Sequence, residues 1–304
     1  MRKSIIILLI CWSAAAFGQL QPQMTQHMYN PMPFNPATAG YREALSGTIS
    51  HRQLWRAFDG TPTTYTLGIH APVFNPSFGA GLLVQHDEIG VSRSLGVAAQ
   101  FAYRVRTGKS GKLCFGIKAG VINQLDKWSA VITTDAGDDA FTIGDTQSWL
   151  PDVGAGVYYY RKKYYVGFSV PTFYSRQYDG AGMYAPRFAP GESTFVFHTG
   201  GIVNLSKSLN IQPSLLARYQ QVSGYQLETG AMFNLKDRFG LGGAYRMGQS
   251  WTAMMRLFIT KQIALVYAYD RFIYEAQTFD RGTHEITLSM DLVRHTKAPD
   301  TRFF

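Results

Sequence analysis

The residues of this chain best suited to chemistry fall into small groups, and each lacks something its chemistry requires. Between positions 133 and 146 stand Asp135, Asp138, Asp139 and Asp145. Carboxylates gathered on one loop could hold calcium, but the spacing lacks the glycine and closing glutamate of an EF-hand loop. A solvated acidic surface loop fits the same residues. His284-Glu285 is half of a zinc motif, yet the position four after the histidine is Leu288. On a strand those two side chains would face opposite sides, so a shared site is not expected. His86, with Ser92 and Ser94 across the next turn, is the best-placed pairing for a hydrolytic nucleophile, as in an outer-membrane lipid-modifying enzyme. No nucleophile motif surrounds it. Cys114 falls on the polar face of its segment and reads as a small buried residue, not a reactive thiol. No catalytic residue, metal or cofactor is therefore expected.

The elements that would have to position such residues form a rhythm of short alternating segments. In 250–260, Trp251, Ala253, Met255, Leu257 and Ile259 alternate with Ser250, Thr252, Arg256 and Thr260. Successive strand side chains point to opposite faces, so each segment has one apolar and one polar face. About fourteen such strands run between 44 and 292, an even number as bacterial outer-membrane barrels require. No run is apolar for the length of a membrane-spanning helix. A soluble sandwich and a transmembrane barrel share this alternation. The connections separate them: 106–111, 161–163, 206–208, 236–237 and 261–262 are short and basic, whereas 123–151 and 172–193 are long and 272–282 is intermediate. Tight turns on one side and long loops on the other describe an outer-membrane barrel.

In that arrangement Leu113, Phe115, Ile117, Val121, Phe197, Ile286, Leu288 and Met290 face outward. Gln100, Arg104, Lys118, Gln212, Arg218, Glu228, Arg256, Asp270, Glu285 and Asp291 face the lumen. The balance of those inward charges suggests a salt-bridged or plugged interior more than an ion-selective pore. Tyr158, Tyr159, Tyr160, Tyr164 and Tyr165 flank the basic 161–163 turn, where an interfacial aromatic girdle is expected.

The ends set the compartment. Arg2 and Lys3, an apolar stretch over 5–12, and Ala16-Phe17-Gly18 have the layout of a signal peptide cleaved after residue 18. Cys11 lies inside the apolar stretch after Ile10, which argues against a lipoprotein. Cleavage would leave Cys114 as the only cysteine, so no intrachain disulfide can form. Charged residues make up 16% of the chain and aromatics 14%, with 30 glycines. Sparse charge suits a β-protein whose outer surface is not all in water. The formal net charge of +9, much of it in the turns and in Arg294-His295-Thr296-Lys297, suits retention of orientation or attraction to acidic partners and lipid headgroups. A secreted chain without a binding motif is a poor candidate for nucleic acid.

After the leader comes Gln21-Pro22-Gln23-Met24-Thr25-Gln26-His27-Met28-Tyr29-Asn30-Pro31, then Phe34-Asn35-Pro36-Ala37-Thr38-Ala39-Gly40. This resembles the opening of the PorP/SprF family, outer-membrane proteins of the type IX secretion and gliding machinery. The likeness continues through His51-Arg52-Gln53-Leu54-Trp55, Phe58-Asp59-Gly60-Thr61-Pro62, Gly79-Ala80-Gly81, Pro151-Asp152-Val153-Gly154-Ala155-Gly156 and Gly282-Thr283-His284-Glu285-Ile286. The resemblance implies a barrel in the outer membrane, associated with periplasmic and outer-membrane secretion components. It further implies a role in exporting large cargo or holding adhesins at the surface, and carries no catalytic residues.

The expected organisation is a signal peptide at 1–18, a periplasmic or plug segment at 19–43, an antiparallel up-and-down barrel at 44–292 and a periplasmic tail at 293–304. Both termini would then be periplasmic. The paired Asn-Pro steps Asn30-Pro31 and Asn35-Pro36 impose a rigid, turn-rich path. They suit either a mobile leader or a segment folded into the barrel mouth or lumen. With Trp55, Phe58, Asp59 and Gly60 at the first outer turn, they are the candidate partner-binding residues. The competing function is a passive or substrate-specific porin.

Overall fold

The structure is a computed structural model and describes residues 24–54, 60–131, 144–178, 184–221, 223–236, 238–273 and 282–292. Its strands are β1 (Leu45–Gln53), β2 (Thr63–Pro72), β3 (Phe78–Ile89), β4 (Ser92–Thr107), β5 (Gly111–Asp126), β6 (Thr146–Tyr160), β7 (Tyr164–Val170), β8 (Tyr174–Tyr178) and β9 (Tyr184–Phe188). They continue with β10 (Phe195–Gly201), β11 (Val203–Asn204), β12 (Leu209–Gln220), β13 (Gly224–Leu235), β14 (Phe239–Arg246), β15 (Ser250–Phe258), β16 (Ile263–Phe272) and β17 (Thr283–Leu292). Neighbours pair antiparallel in chain order, and β1 meets β17 from Leu45↔Leu292 to Gln53↔His284. β10 and β11 share one register with β12, Phe195↔Tyr219 and Val203↔Ile211, so together they make one wall strand interrupted at Ile202. The wall is a closed barrel of 14 strands. Closure leaves no unpaired sheet edge, which the hydrocarbon of a bilayer demands.

The alternation decides which way each face turns. Along β15, Trp251 and Leu257 are exposed on the outside, while Ser250, Thr252, Met254 and Arg256 are buried in the lumen. The same holds for Phe115, Ile117 and Val121 against Cys114 and Lys118 on β5. An apolar exterior around a polar interior inverts a soluble sandwich and matches a membrane barrel.

The connections depart from expectation in informative ways. β5 and β6 pair out to Asp126↔Thr146, so part of the stretch read as a long loop is strand; β4 accompanies β5 to the same end at Ser92↔Asp126, while β6 runs beyond its pairing with β7, which stops at Ala155↔Val170. The 172–193 connection contains the separate β8–β9 hairpin, paired from Tyr174↔Phe188 to Tyr178↔Tyr184. All the long connections lie on one side, the loop side. The links after β3, β12 and β14 on that side are nevertheless as tight as those on the opposite, turn side.

Candidate functional site in the lumen

Residues 24–44 lie inside the barrel. Thr25, Gln26, Asn35, Ala37, Thr38 and Ala39 are fully buried, and Met24, His27, Tyr29, Met32 and Tyr41 nearly so. Irregular backbone needs partners for its polar groups, and the lumen wall supplies them. Gln100 Nε2 donates to the Met32 carbonyl at 3.0 Å, Ser169 Oγ to the Phe34 carbonyl at 2.7 Å, and Tyr160 Oη to the Tyr41 carbonyl at 3.2 Å. Arg104 donates to the Gly40 carbonyl at 2.6 Å, and the Gly40 N–H donates to His70 Nδ1 at 3.1 Å.

Space for this segment comes from wall positions without side chains. A Cβ on Gly116 would meet the backbone of Pro36 and Ala37, and one on Gly79 the Ala39 carbonyl. At Gly81 it would come within 2.7 Å of Met32 Cε. Glycine weakens a strand; here it lets a second backbone approach the wall.

The segment is fastened at three levels. On the loop side, Thr25 is a hub. Its N–H donates to Glu285 Oε2 at 2.9 Å and its hydroxyl to Asp270 Oδ2 at 2.8 Å. That hydroxyl accepts from Arg52 at 3.0 Å and from Arg246 at 3.3 Å. Arg52 itself bridges Asp270 at 2.6 Å and Glu285 at 2.8 Å, and Arg246 pairs with Glu228 at 2.7 Å. The Gln26 N–H donates to Glu285 Oε1 at 3.1 Å, and His27 Nδ1 lies 3.4 Å from Glu228.

At mid-depth, Asn35 caps the short 3₁₀ turn Pro36–Thr38, its Oδ1 accepting from the Ala37 N–H at 2.9 Å. Its Nδ2 donates to the Val157 carbonyl at 3.0 Å and lies 3.2 Å from His198 Nε2. Asparagine and the proline at the first position of the turn are the residues such a start favours. The Pro31 carbonyl accepts from the N–H groups of Phe34 and Asn35, both at 3.0 Å, closing the preceding turn. Asn30 Nδ2 reaches Ser50 Oγ at 3.4 Å. Replacing Asn35 with alanine strands the Ala37 N–H and removes a bond to the Val157 carbonyl. Urea unfolding from vesicles should show a loss of about 1–3 kcal/mol, the penalty for buried unpaired polar groups. No measurable loss would mean that these bonds do not hold the segment.

On the turn side, Arg42 holds both oxygens of Asp291 at 3.1 Å and donates to Tyr41 Oη at 2.8 Å. Glu43 pairs with Lys112. The Tyr41 ring packs edge-on against Tyr158 and Tyr160, beside buried Cys114 and Tyr165. This corrects the expected girdle. Tyr158, Tyr160 and Tyr165 are buried lumen residues gripping the segment, and only Tyr159 and Tyr164 turn outward. Strand parity could have shown this, since the three share the face of Cys114 and Lys118.

The remaining candidates scatter. Asn30, Pro31, Asn35 and Pro36 are buried together in the segment just described. Trp55, Phe58 and Asp59 lie outside the described residues. Gly60, at φ +77°, accepts at its carbonyl from the Gly90 N–H at 2.9 Å and so ties two loop-side connections together. His86 stacks outward on Tyr65 and contacts Glu88 at 3.1 Å, while Ser94 faces the lumen, so the two form no hydrolytic pair. His284 turns outward to Tyr267 Oη at 2.7 Å, and Glu285 points inward. Asp135, Asp138 and Asp139 lie outside the described residues. Asp145 accepts from the Ser129 hydroxyl at 2.7 Å and its N–H at 3.1 Å, which hold its carboxyl below the usual range. Arg42, Arg52, Arg246 and Asp152 were absent from the inward set, although they supply most of the lumen's ion pairs.

A closed barrel with an apolar exterior and a polar lumen is the architecture of outer-membrane β-barrel proteins. Its fold is similar to that of the CymD monoaromatic hydrocarbon channel, with TM-score 0.52 and 12% identity over 88% of this chain and 94% of the other. A Pseudomonas aeruginosa FadL homologue matches at TM-score 0.47 and 11% identity over 91% and 96%. Omp33 of Acinetobacter baumannii matches at TM-score 0.45 and 8% identity over 82% and 99%. No curated protein sequence matches the chain. Residues 16–290 match the family model for the type IX secretion system membrane protein PorP/SprF, and the chain belongs to that family.

Proposed function

We propose that this protein is a non-enzymatic outer-membrane component of the type IX secretion machinery. It serves secretion or surface attachment of cargo or adhesin proteins and links them to periplasmic machinery. The observation that carries this reading is the filled lumen: 24–44 occupies the path a conducting pore would need, held by buried bonds to the wall. A barrel closed in this way works by contact. In this reading the short basic turns, with exposed Lys162 and Lys163 on one of them, face the periplasm, and the long loops face outward. Asn30, Pro31, Asn35 and Pro36 act by keeping 24–44 in place. Trp55, Phe58, Asp59 and Gly60 belong in sequence to the stretch between β1 and β2, and in this reading they meet arriving cargo.

A substrate-specific porin is the competing reading, favoured by the open space that remains on the loop side of 24–44. Single-channel recording on the full-length protein distinguishes the two. The closed scaffold stays silent and conducts once 21–39 is deleted, whereas a porin conducts with the segment present. In intact cells, crosslinkers at Phe58 and Lys162 should capture cargo and a secretion component respectively. Capture of neither would defeat the scaffold reading.

A further inference from the structure

Arg218 differs from most lumen cations in facing open space. Arg42, Arg52 and Arg246 meet carboxylates, Lys118 meets Asp152 at 2.7 Å, and Arg104 meets the Pro76 and Gly40 carbonyls. Arg256 lies 4.5 Å from the centre of the Tyr29 ring and 4.2 Å from that of Phe258, and it lines neither of the cavities that meet at Arg218. Among the described residues, no carboxylate or carbonyl oxygen bonds Arg218. Its Nε is buried without an acceptor, and its guanidinium sits 5.0 Å from the centre of the Phe34 ring. A charge withdrawn from water without a partner is costly, and a guanidinium fork fits a carboxylate with two parallel bonds.

Two cavities meet at this side chain and share Thr194, Arg218 and Gln220 among their lining residues. The smaller, about 50 Å³, is completed by residues such as Ser223, Gln226 and Gln249, and contains no acid among its described lining. The larger, about 130 Å³, is bounded by Met24 and Phe34 of the lumen segment and by Leu83, Ile122 and Leu150 of the wall. Its acids are already engaged: Thr64 Oγ1 donates to Asp87 at 2.6 Å, Asp152 holds Lys118, and Glu192 meets Arg187 at 3.2 Å. An anionic group is therefore directed to the smaller cavity and an apolar body to the larger. A cavity of roughly 150 Å³ accommodates one benzene, so the larger cavity suits a single small ring or branched chain.

We propose that this loop-side vestibule binds a small monocarboxylate with one aromatic or branched apolar body. Arg218 holds the carboxylate, and Phe34, Met24, Leu83 and Leu150 enclose the body. The ligand rests on the segment that fills the lumen and needs no open pore. This site is separate from the scaffold role, and its test does not depend on secretion.

The test is titration calorimetry on the full-length protein in detergent, using benzoate, benzyl alcohol and acetate as probes. Benzoate should bind saturably at one site, with each partial probe at least about tenfold weaker, because each lacks one of the two contacts. Arg218→Gln should weaken benzoate at least about tenfold and leave benzyl alcohol unchanged, and Arg218→Lys should fall between. Acetate as strong as benzoate would reveal a bare anion site, benzyl alcohol as strong would reveal an unspecific apolar cavity, and either overturns the proposal. Absence of saturable benzoate binding overturns it too. The probe series on the unmodified protein decides the question if the Arg218 variants fail to fold.

Discussion

Replacing Arg52 with alanine is expected to destabilise the folded barrel by about 3–5 kcal/mol, the cost of removing one partner from a buried ion pair. Asp270 and Glu285 would each lose their contact with Arg52, and both are buried in the lumen. Thr25 would lose one of the donors that fix its hydroxyl. Urea unfolding from phospholipid vesicles measures the loss. Arg187→Ala is the matched control, because Arg187 meets Glu192 in an exposed pair and such pairs contribute about 0–1 kcal/mol. Equal effects from the two variants would show that the Thr25 hub is not a stabilising centre.

Gly116→Val is expected to drive 24–44 out of the lumen. Its side chain would occupy the position of the Pro36 and Ala37 backbone, which cannot step aside as a flexible side-chain tip can. Overpacking costs about 1–3 kcal/mol even in adaptable cores, and here the segment can avoid it only by leaving. The expected outcome is an intact barrel whose segment is cut by added protease and whose lumen conducts. Gly47 has nothing within 4 Å of where its Cβ would stand, so Gly47→Val should change neither property. A Gly116 variant that stays silent and protected would place the segment's hold elsewhere.

Much of the barrel was legible because period-two alternation reports faces directly. Phe115, Ile117 and Val121 could be assigned outward, and Gln100, Arg104 and Glu285 inward, before any pairing was known. Alternation does not report where a strand ends when polar residues continue it. Beyond Ile122 the β5–β6 pairing runs on to Asp126, and Asn123, Gln124 and Asp126 are polar residues that read as loop. The lumen contacts were hidden for another reason. Thr25 meets Asp270 and Glu285 through bonds across 245 and 260 residues, and no local pattern links such positions. Arg52 was within reach, since it shares the inward parity of Thr48 and Ser50. Tyr158, Tyr160 and Tyr165 resemble a girdle because they flank a basic turn, although their parity with Cys114 places them in the lumen.

The bond from Glu285 to Thr25 has a consequence for how the molecule is made. Thr25 precedes every described strand in the chain, yet its acceptors lie on β16 and β17, the last of the described strands. Contacts of such long sequence separation form late, because a large loop must first close. The hub therefore cannot assemble until β17 has met β1 at the seam. Burial of Thr25 is coupled to closure of the seam: the acceptors of its N–H and hydroxyl stand in place only in the finished barrel.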